Sequence, residues 1–372
     1  MKKRVLFFVP VIALLGLGFW VTEPTKAQAA DWIAWKACLS QAEEWYGSDE
    51  AVRIAHQLIL YQHDVGGWSK NIDMAEPLTQ EQKGDLIQDK PDRTECTIDN
   101  GSTYRQLAYL ARVYDKTKTN RFKAAFEQGL DFLLSIQYPN GGWPQFPYKK
   151  GYYTHITFND DAMIGVMILL RDVANGEPPY TFVDAAQKEH ARQAVEKGID
   201  CILRCQIVVD GKKTGWCAQH DEHTLAPAPA RTYEKISISG SEGVGILRFL
   251  MQLESPSSAV IAAVEAAVAW LESVQLEGIK EIRQPVPGDP KTLDKVIVAE
   301  PTAPPLWARF YEIGTNRPIF CGRDGVVKST LAEIELERRT GYSWYTERPR
   351  DLLQREVPAW RARWGSGALD RN

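Results

Sequence analysis

The stretch Gln137-Tyr138-Pro139-Asn140-Gly141-Gly142-Trp143-Pro144 closes an amphipathic run, and it recurs along the chain. An earlier copy is Gln62-His63-Asp64-Val65-Gly66-Gly67-Trp68, and a stretched one leads from Gln206 to Gly215-Trp216. A fourth, degenerate copy runs from Trp270-Leu271 to Gln275-Leu276-Glu277-Gly278. The Gln positions are 75, 69 and 69 residues apart. At about 1.5 Å rise per residue, that is room for two helices and their connections. Each unit reads as a helical hairpin. Within the motif, Gln can bond the turn backbone, Gly can take positive φ, and Trp can pack the helix ends. For Trp143, fixed by Pro144, this structural reading is enough. Trp68 is followed by Ser69-Lys70-Asn71, which sets a cation beside an aromatic ring and suits an acidic sugar.

Periodicity supports the hairpins. Phe122 to Ile136 aligns Phe122, Phe126, Leu130, Leu133 and Leu134 on one stripe, and Val260 to Val274 does the same. Ala162 to Val173 is apolar nearly all round, so it predicts an inner, buried helix beside amphipathic outer ones. The expectation is an all-α fold, an (α/α)₃ toroid formed by residues 31–372 as a single domain. Its long rim loops, 64–98, 138–158, 207–235 and 283–304, exceed ordinary connector lengths and predict function there.

The 372 residues include 44% hydrophobic residues, 12 Trp and 14 Tyr, which excludes a disordered chain. The formal charge is −4, without a Lys/Arg run beyond the first four residues, and this argues against nucleic acid. Lys2, Lys3 and Arg4 precede the apolar stretch Val5 to Val21 and the small-residue pattern Ala27-Gln28-Ala29, so residues 1–30 read as a secretory signal peptide. That segment is net +3 (Lys2, Lys3, Arg4 and Lys26 against Glu23), which leaves an acidic mature chain at −7. The reading is a secreted or periplasmic monomer, without a membrane segment once the signal is removed. The six cysteines, Cys38, Cys96, Cys201, Cys205, Cys217 and Cys321, suit buried thiols, or one or two bridges such as Cys205 to Cys217, better than a zinc site.

Three segments carry candidate chemistry. In Thr97-Ile98-Asp99-Asn100-Gly101-Ser102-Thr103 an Asp-Asn pair opens a helix, where it can cap, act, or both. In Phe158-Asn159-Asp160-Asp161-Ala162-Met163 two adjacent carboxylates stand at the mouth of the most apolar helix. Their repulsion in a low dielectric demands compensation, from the helix N-terminus or from a hard cation such as Ca²⁺ with oxygen ligands. The third segment pairs Arg231-Thr232-Tyr233-Glu234-Lys235 with Phe320-Cys321-Gly322-Arg323-Asp324-Gly325. Isolated cations in an acidic protein, together with a carboxylate cluster, suit an anionic substrate bridged by a metal.

Gly66-Gly67-Trp68-Ser69-Lys70-Asn71, the Asp99 and Asp161 segments, Trp216-Cys217-Ala218-Gln219-His220-Asp221, Ser237-Ile238-Ser239-Gly240-Ser241-Glu242 and the Arg323 segment together resemble the family-ten pectate lyases, over residues 45 to 350 or so. The resemblance implies an (α/α)₃ toroid that cleaves polygalacturonate by Ca²⁺-dependent β-elimination. It implies calcium and substrate carboxylate at Asp99 and Asp161, with Asp160 as the alternative ligand, and Arg323 as the base. Lys70, Asn100, Arg231, Lys235 and Trp68 would bind the uronate chain. Arginine is an improbable base, with a pKa above about 12, unless neighbouring cations or alkaline pH favour its neutral form.

Rival readings are a uronate-specific hydrolase on the same toroid and a non-catalytic binder of acidic glycans. A terpene-cyclase-like toroid shares the Gln to Gly-Trp repeats. It is disfavoured because Phe158-Asn159-Asp160-Asp161 lacks the first Asp of the cyclase pattern.

Overall fold

The computed structural model describes residues 32–364, so the expected signal segment lies outside the described residues. Helices α1 (Trp35–Cys38), α2 (Asp49–Tyr61) and α3 (Gln80–Asp89) lead into three helix pairs. These are α4 (Tyr104–Thr117) with α5 (Asn120–Ser135), α6 (Ala162–Asn175) with α7 (Ala185–Cys205), and α8 (Glu242–Met251) with α9 (Ser258–Ser273). Within the set, α4, α6 and α8 pack in series, as do α5, α7 and α9. The inner series is the more apolar: α6 buries Met163, Ile164, Val166, Met167, Leu169 and Leu170 along its length. Side chains cap the outer starts, Asp184 accepting from the Gln187 N–H ahead of α7 and Ser257 from the Val260 N–H ahead of α9. Among the described residues, no helix is long and apolar enough to cross a membrane.

The repeat motif is a structural clasp. Gln62 Nε2 donates to Gly66 O (3.1 Å) in its own turn and to Ala125 O (2.9 Å) on the next outer helix. Gln137 repeats this on Gly141 O and Ala194 O, and Gln206 on Thr214 O and Ala263 O. Each Trp indole N–H then caps the C-terminal end of the preceding helix: Trp68 on Leu58 O, Trp143 on Leu133 O and Trp216 on Ile202 O, all at 2.8 Å. Gly66 and Gly141 hold φ near +98° and +93°. A side chain on either would strike the backbone of the next outer helix, at Gln128 and Lys197 respectively.

The chain is not all-α. The described residues are 47% helical and 13% strand, so the all-α toroid expected from the sequence gives way to a mixed helical and sheet fold. Two features account for this. The rim segments after Trp143, Trp216 and Trp307 are largely buried, and their backbone groups need partners. Two-residue ladders supply them, Ile156–Thr157 with Gln219–His220 and Ile238–Ser239 with Phe310–Tyr311, among others. The second is a long antiparallel hairpin, Ile279–Val286 with Asp289–Ala299, turning at Gly288 with φ near +85°. It occupies most of the expected loop 283–304, and it interrupts the fourth repeat. The tryptophan that completes that copy is Trp307, whose indole donates to Leu271 O (2.9 Å) from beyond the hairpin.

All six cysteines are free and buried, which selects the thiol reading over a bridge or a zinc site. Cys201 and Cys205 sulfurs lie 4.0 Å apart on one face of α7. Burial pushes the Cys96 thiol up to about 12, so it is inert at neutral pH.

Candidate active site

Two tight turns carry the carboxylates. Asp99–Gly101 opens α4 and Asn159–Asp161 opens α6, and the turns pack against one another. Each holds a non-glycine residue at positive φ in its middle, Asn100 near +53° and Asp160 near +50°. Asn and Asp tolerate that region better than other side chains. The turns are therefore equivalent devices in successive repeats, each projecting an acid at the start of an inner helix.

Asp99 is 3% exposed, and its Oδ2 accepts from Lys70 Nζ while its Oδ1 is buried without a partner. Asp161 has the same arrangement: Arg348 donates to Oδ2 at 2.5 Å, and Oδ1 is buried and unpartnered. Asp160 takes Asn159 Nδ2 at 2.8 Å and Arg309 at 3.3 Å. The Tyr104 hydroxyl lies within the field of both Asp161 and Asp99. Burial, chiefly, and these two charges raise its pKa against the opposing effect of Arg105.

A cationic and aromatic wall faces the turns. Arg309, 7% exposed, donates to Asn159 Oδ1 (3.0 Å) and Glu242 Oε1 (2.5 Å), and it lies 4.7 Å from the Tyr342 ring centre. Burial, the largest influence, works to lower its pKa, but Glu242 and then Tyr342 and Asp160 hold it above the ordinary value. The Tyr342 hydroxyl donates to Glu234 Oε1 (2.7 Å), which in turn grips Arg231 (2.6 Å). Arg231 stands over the rings of Tyr233 and Tyr342. The hydrogen bonds that Arg231 donates to Glu234 raise its guanidinium pKa above the ordinary value. One tyrosine thus separates a buried arginine from a half-exposed one.

The residues singled out in the sequence fall into two groups. Asp99, Lys70, Asn100, Asp160 and Asp161 come together on the paired turns, Asn100 donating to Asn71 Oδ1 at 2.8 Å, and Arg231 sits along the adjoining wall. Trp68 belongs to the core, with none of its surface exposed and its indole N–H spent on Leu58. Arg323 has 62% of its side chain exposed and is held by the exposed Glu337 (2.9 Å). Lys235 lies beside the same surface turn, near Gly325. Sequence reasoning missed Arg309, Arg348 and Tyr104 as site residues. For Arg309 the signal was present: an arginine enclosed by Leu306-Trp307-Ala308 and Phe310-Tyr311 must be buried and paired.

A separate group, His155, Asp221 and Glu222, places its ligating atoms within 4.8 Å of one another. These atoms are largely engaged already. Glu222 accepts from Thr154 Oγ1 (2.6 Å) and contacts His155 Nδ1 (2.9 Å), while Asp221 Oδ1 accepts the N–H groups of His223 and Thr224.

Residues 62–353 match the family model for pectic acid lyase. No curated protein matches the chain. Among solved structures, a family 10 polysaccharide lyase from Cellvibrio cellulosa aligns with a TM-score of 0.73 and 31% identity, over 89% of this chain and 100% of that one. An aspartate-to-alanine mutant of a family 10 lyase from the same organism, in complex with trigalacturonic acid, aligns with a TM-score of 0.72 and 33% identity, over 85% of this chain and 95% of that one. On the extent of the family match and of these likenesses, the chain belongs to the pectic acid lyase family and is a pectate lyase.

Proposed function

We propose that this pectate lyase is exported through residues 1–30 and that its mature chain, as one catalytic domain, cleaves α-1,4-linked polygalacturonate by Ca²⁺-dependent β-elimination. The observation that carries the reading is the pair of orphaned oxygens, Asp99 Oδ1 and Asp161 Oδ1, buried on adjacent turns in a carboxylate-rich site. A hard cation takes oxygen ligands, so the donor set fits, with Asp99, Asp161 and Asp160 holding it. When bound, calcium would neutralise the uronate carboxylate and make its C5 proton more acidic. Binding of trigalacturonic acid by the Cellvibrio mutant supports the substrate class.

The rest of the chemistry falls to the protein's own side chains. A base takes the C5 proton, the electron pair forms the C4–C5 double bond, and the C4–oxygen bond breaks, its oxygen taking a proton from water. Arg323 is the base that the motif resemblance suggests. The geometry favours Arg231 instead, because it shares the Tyr342 ring with Arg309, which is bonded to Asp160, whereas Arg323 faces solvent and Glu337. Arg231 is cationic at rest in the grip of Glu234, so it can take the C5 proton only after giving one up to solvent, and a substrate that loosens this pair, the neighbouring Arg309 charge or alkaline pH each favours that neutral form. Arg309 and Lys70 supply fixed positive charge where the carbanion-like transition state gathers negative charge.

The test is incubation of the mature chain with oligogalacturonates and calcium while ultraviolet absorbance is followed. A rise reports a conjugated 4,5-unsaturated uronate. New reducing ends without that rise would mean hydrolysis and would sink the mechanism.

A further inference from the structure

A cleft of about 440 Å³ opens beside the Asp99 turn, between the segment Trp35–Lys36, the loop Asn71–Met74 and the start of α4. Its volume lies in the range of about 300–1,000 Å³ that small-molecule sites occupy. It shares its walls with the reaction centre. Asn100, next to Asp99, and Asn71, next to Lys70, line it and bond each other at 2.8 Å, and Ser102 Oγ ties the same two loops through Ser69 O at 2.9 Å.

Its chemistry is that of an acidic-sugar site. Lys36 and Arg105 line the cleft and are exposed, and neither forms an ion pair among the described residues. The Arg105 guanidinium lies across the face of Gly101, in the space a side chain there would fill, so the glycine lets a cation lie against the turn that carries Asp99. The one carboxylate on the lining, Asp73, is held in place through its Oδ1, which accepts the backbone N–H groups of Trp35 (2.9 Å) and Ala75 (3.1 Å). Trp35 is half-buried, and its ring stands edge-on against Tyr109 at 5.4 Å. Tyr109 is itself fully buried and anchored on Ala51 O, so the indole is a fixed apolar surface on the cleft wall. Aromatic surface for the sugar's C–H face and two cations for its carboxylate are what a uronate residue needs.

We propose that this cleft is a further subsite that binds one uronate residue of the polygalacturonate chain at a distance from the bond being cleaved. Lys36 and Arg105 hold its carboxylate, and Trp35 stacks on its ring. The proposal rests on polygalacturonate being the substrate, and it predicts that the enzyme measures chain length through this end of the site.

The experiment compares wild type with the double variant Lys36→Ala, Arg105→Ala and with Arg105→Lys, on oligogalacturonates of increasing length. For the longer substrates the double variant should raise KM at least about tenfold with kcat retained, the loss of roughly one charge-assisted contact. The shortest substrate cleaved should be unaffected, and Arg105→Lys should recover part of the loss. Equal loss at every length, or a length dependence identical to wild type, overturns the subsite. If wild type forms no unsaturated product at all, the eliminase reading fails separately. Calorimetric binding of the same oligomers to both proteins then decides the subsite: affinity must depend on length in wild type and lose that dependence in the variant. Both changed side chains are exposed, and an unaltered circular dichroism spectrum confirms that the fold is intact.

Discussion

The Cβ that Gly245 lacks would stand where the Asp161 carboxylate lies. Helix α8 forgoes about 0.5–1 kcal/mol of intrinsic helix stability at this position relative to alanine, and the site gains room for an acid from the neighbouring repeat. Gly245→Ala should therefore leave the melting temperature unchanged or higher while turnover falls at least about tenfold, if Asp161 holds the metal as proposed. Parallel thermal melts and rate measurements check this. A loss of stability with normal turnover would show that Asp161 moves aside harmlessly.

Arg231 and Arg323 separate the two assignments of the base. Arg231→Lys keeps the charge but loses the planar fork on Glu234 and Tyr342, and turnover should drop by about a hundredfold or more. Arg323→Lys should alter turnover by less than about threefold, since an exposed pair with Glu337 contributes little. The reverse ranking would return the base to Arg323.

Removing a proposed metal ligand should not unfold the protein. Asp99→Ala and Asp161→Ala should retain the helical circular dichroism spectrum and lose turnover steeply. Exhaustive chelation of wild type should abolish activity on short oligogalacturonates, with added Ca²⁺ restoring it. Short substrates are needed because calcium also gels pectate. Full activity after chelation excludes the metal.

His220 makes the fold sensitive to acid. The ring is fully buried, with Nδ1 at 2.9 Å from Leu225 O and Nε2 accepting from the Cys217 N–H at 3.1 Å, so only the neutral form fits. Burial lowers its pKa to about 4, against about 6.5 in the unfolded chain. Between these values the unfolded state binds the extra proton more readily. Stability is therefore lost as pH falls from about 6.5 towards 4, by up to about 3 kcal/mol in total. His220→Gln should flatten the fall in melting temperature between pH 7 and pH 5. An unchanged slope would place the acid sensitivity elsewhere.

The clasp should govern stability alone. Gln137→Ala deletes two partly buried hydrogen bonds, to Gly141 O and Ala194 O, and should cost about 1–3 kcal/mol in chemical denaturation. The kcat of the protein that remains folded should be close to wild type. A large loss of kcat would mean that the motif reaches the site.

The repeats were legible because Gln, Gly and Trp each answer a backbone requirement that recurs at a fixed place, and the carboxylates because Asp160-Asp161 before an apolar helix is costly without compensation. The helices α5, α6 and α9 begin and end within about two residues of their periodic stripes. What failed to show was structure whose pattern is neither amphipathic nor apolar. The hairpin of 279–299 is polar or half-buried on both faces, so its period of two is masked by Lys, Glu, Arg and Asp. The two-residue ladders are too short to carry any pattern. Arg323 stood out by local sequence alone, whereas Arg309 and Arg348 meet the carboxylates only through contacts spanning 149 and 187 residues.

That hairpin also braces the aromatic wall. Lys295 Nζ donates to Tyr342 O (2.9 Å), and Asp294 holds Arg339 (2.6 Å) a few residues earlier in the chain. Tyr342 in turn separates Arg309 from Arg231. The insertion that breaks the repeat thus behaves as a strut behind the hinge-pin of the two arginines. The setting of the two arginines then depends on a hairpin remote in sequence from the carboxylates, and trimming the strut would slacken the wall while every acid on the turns stayed in place.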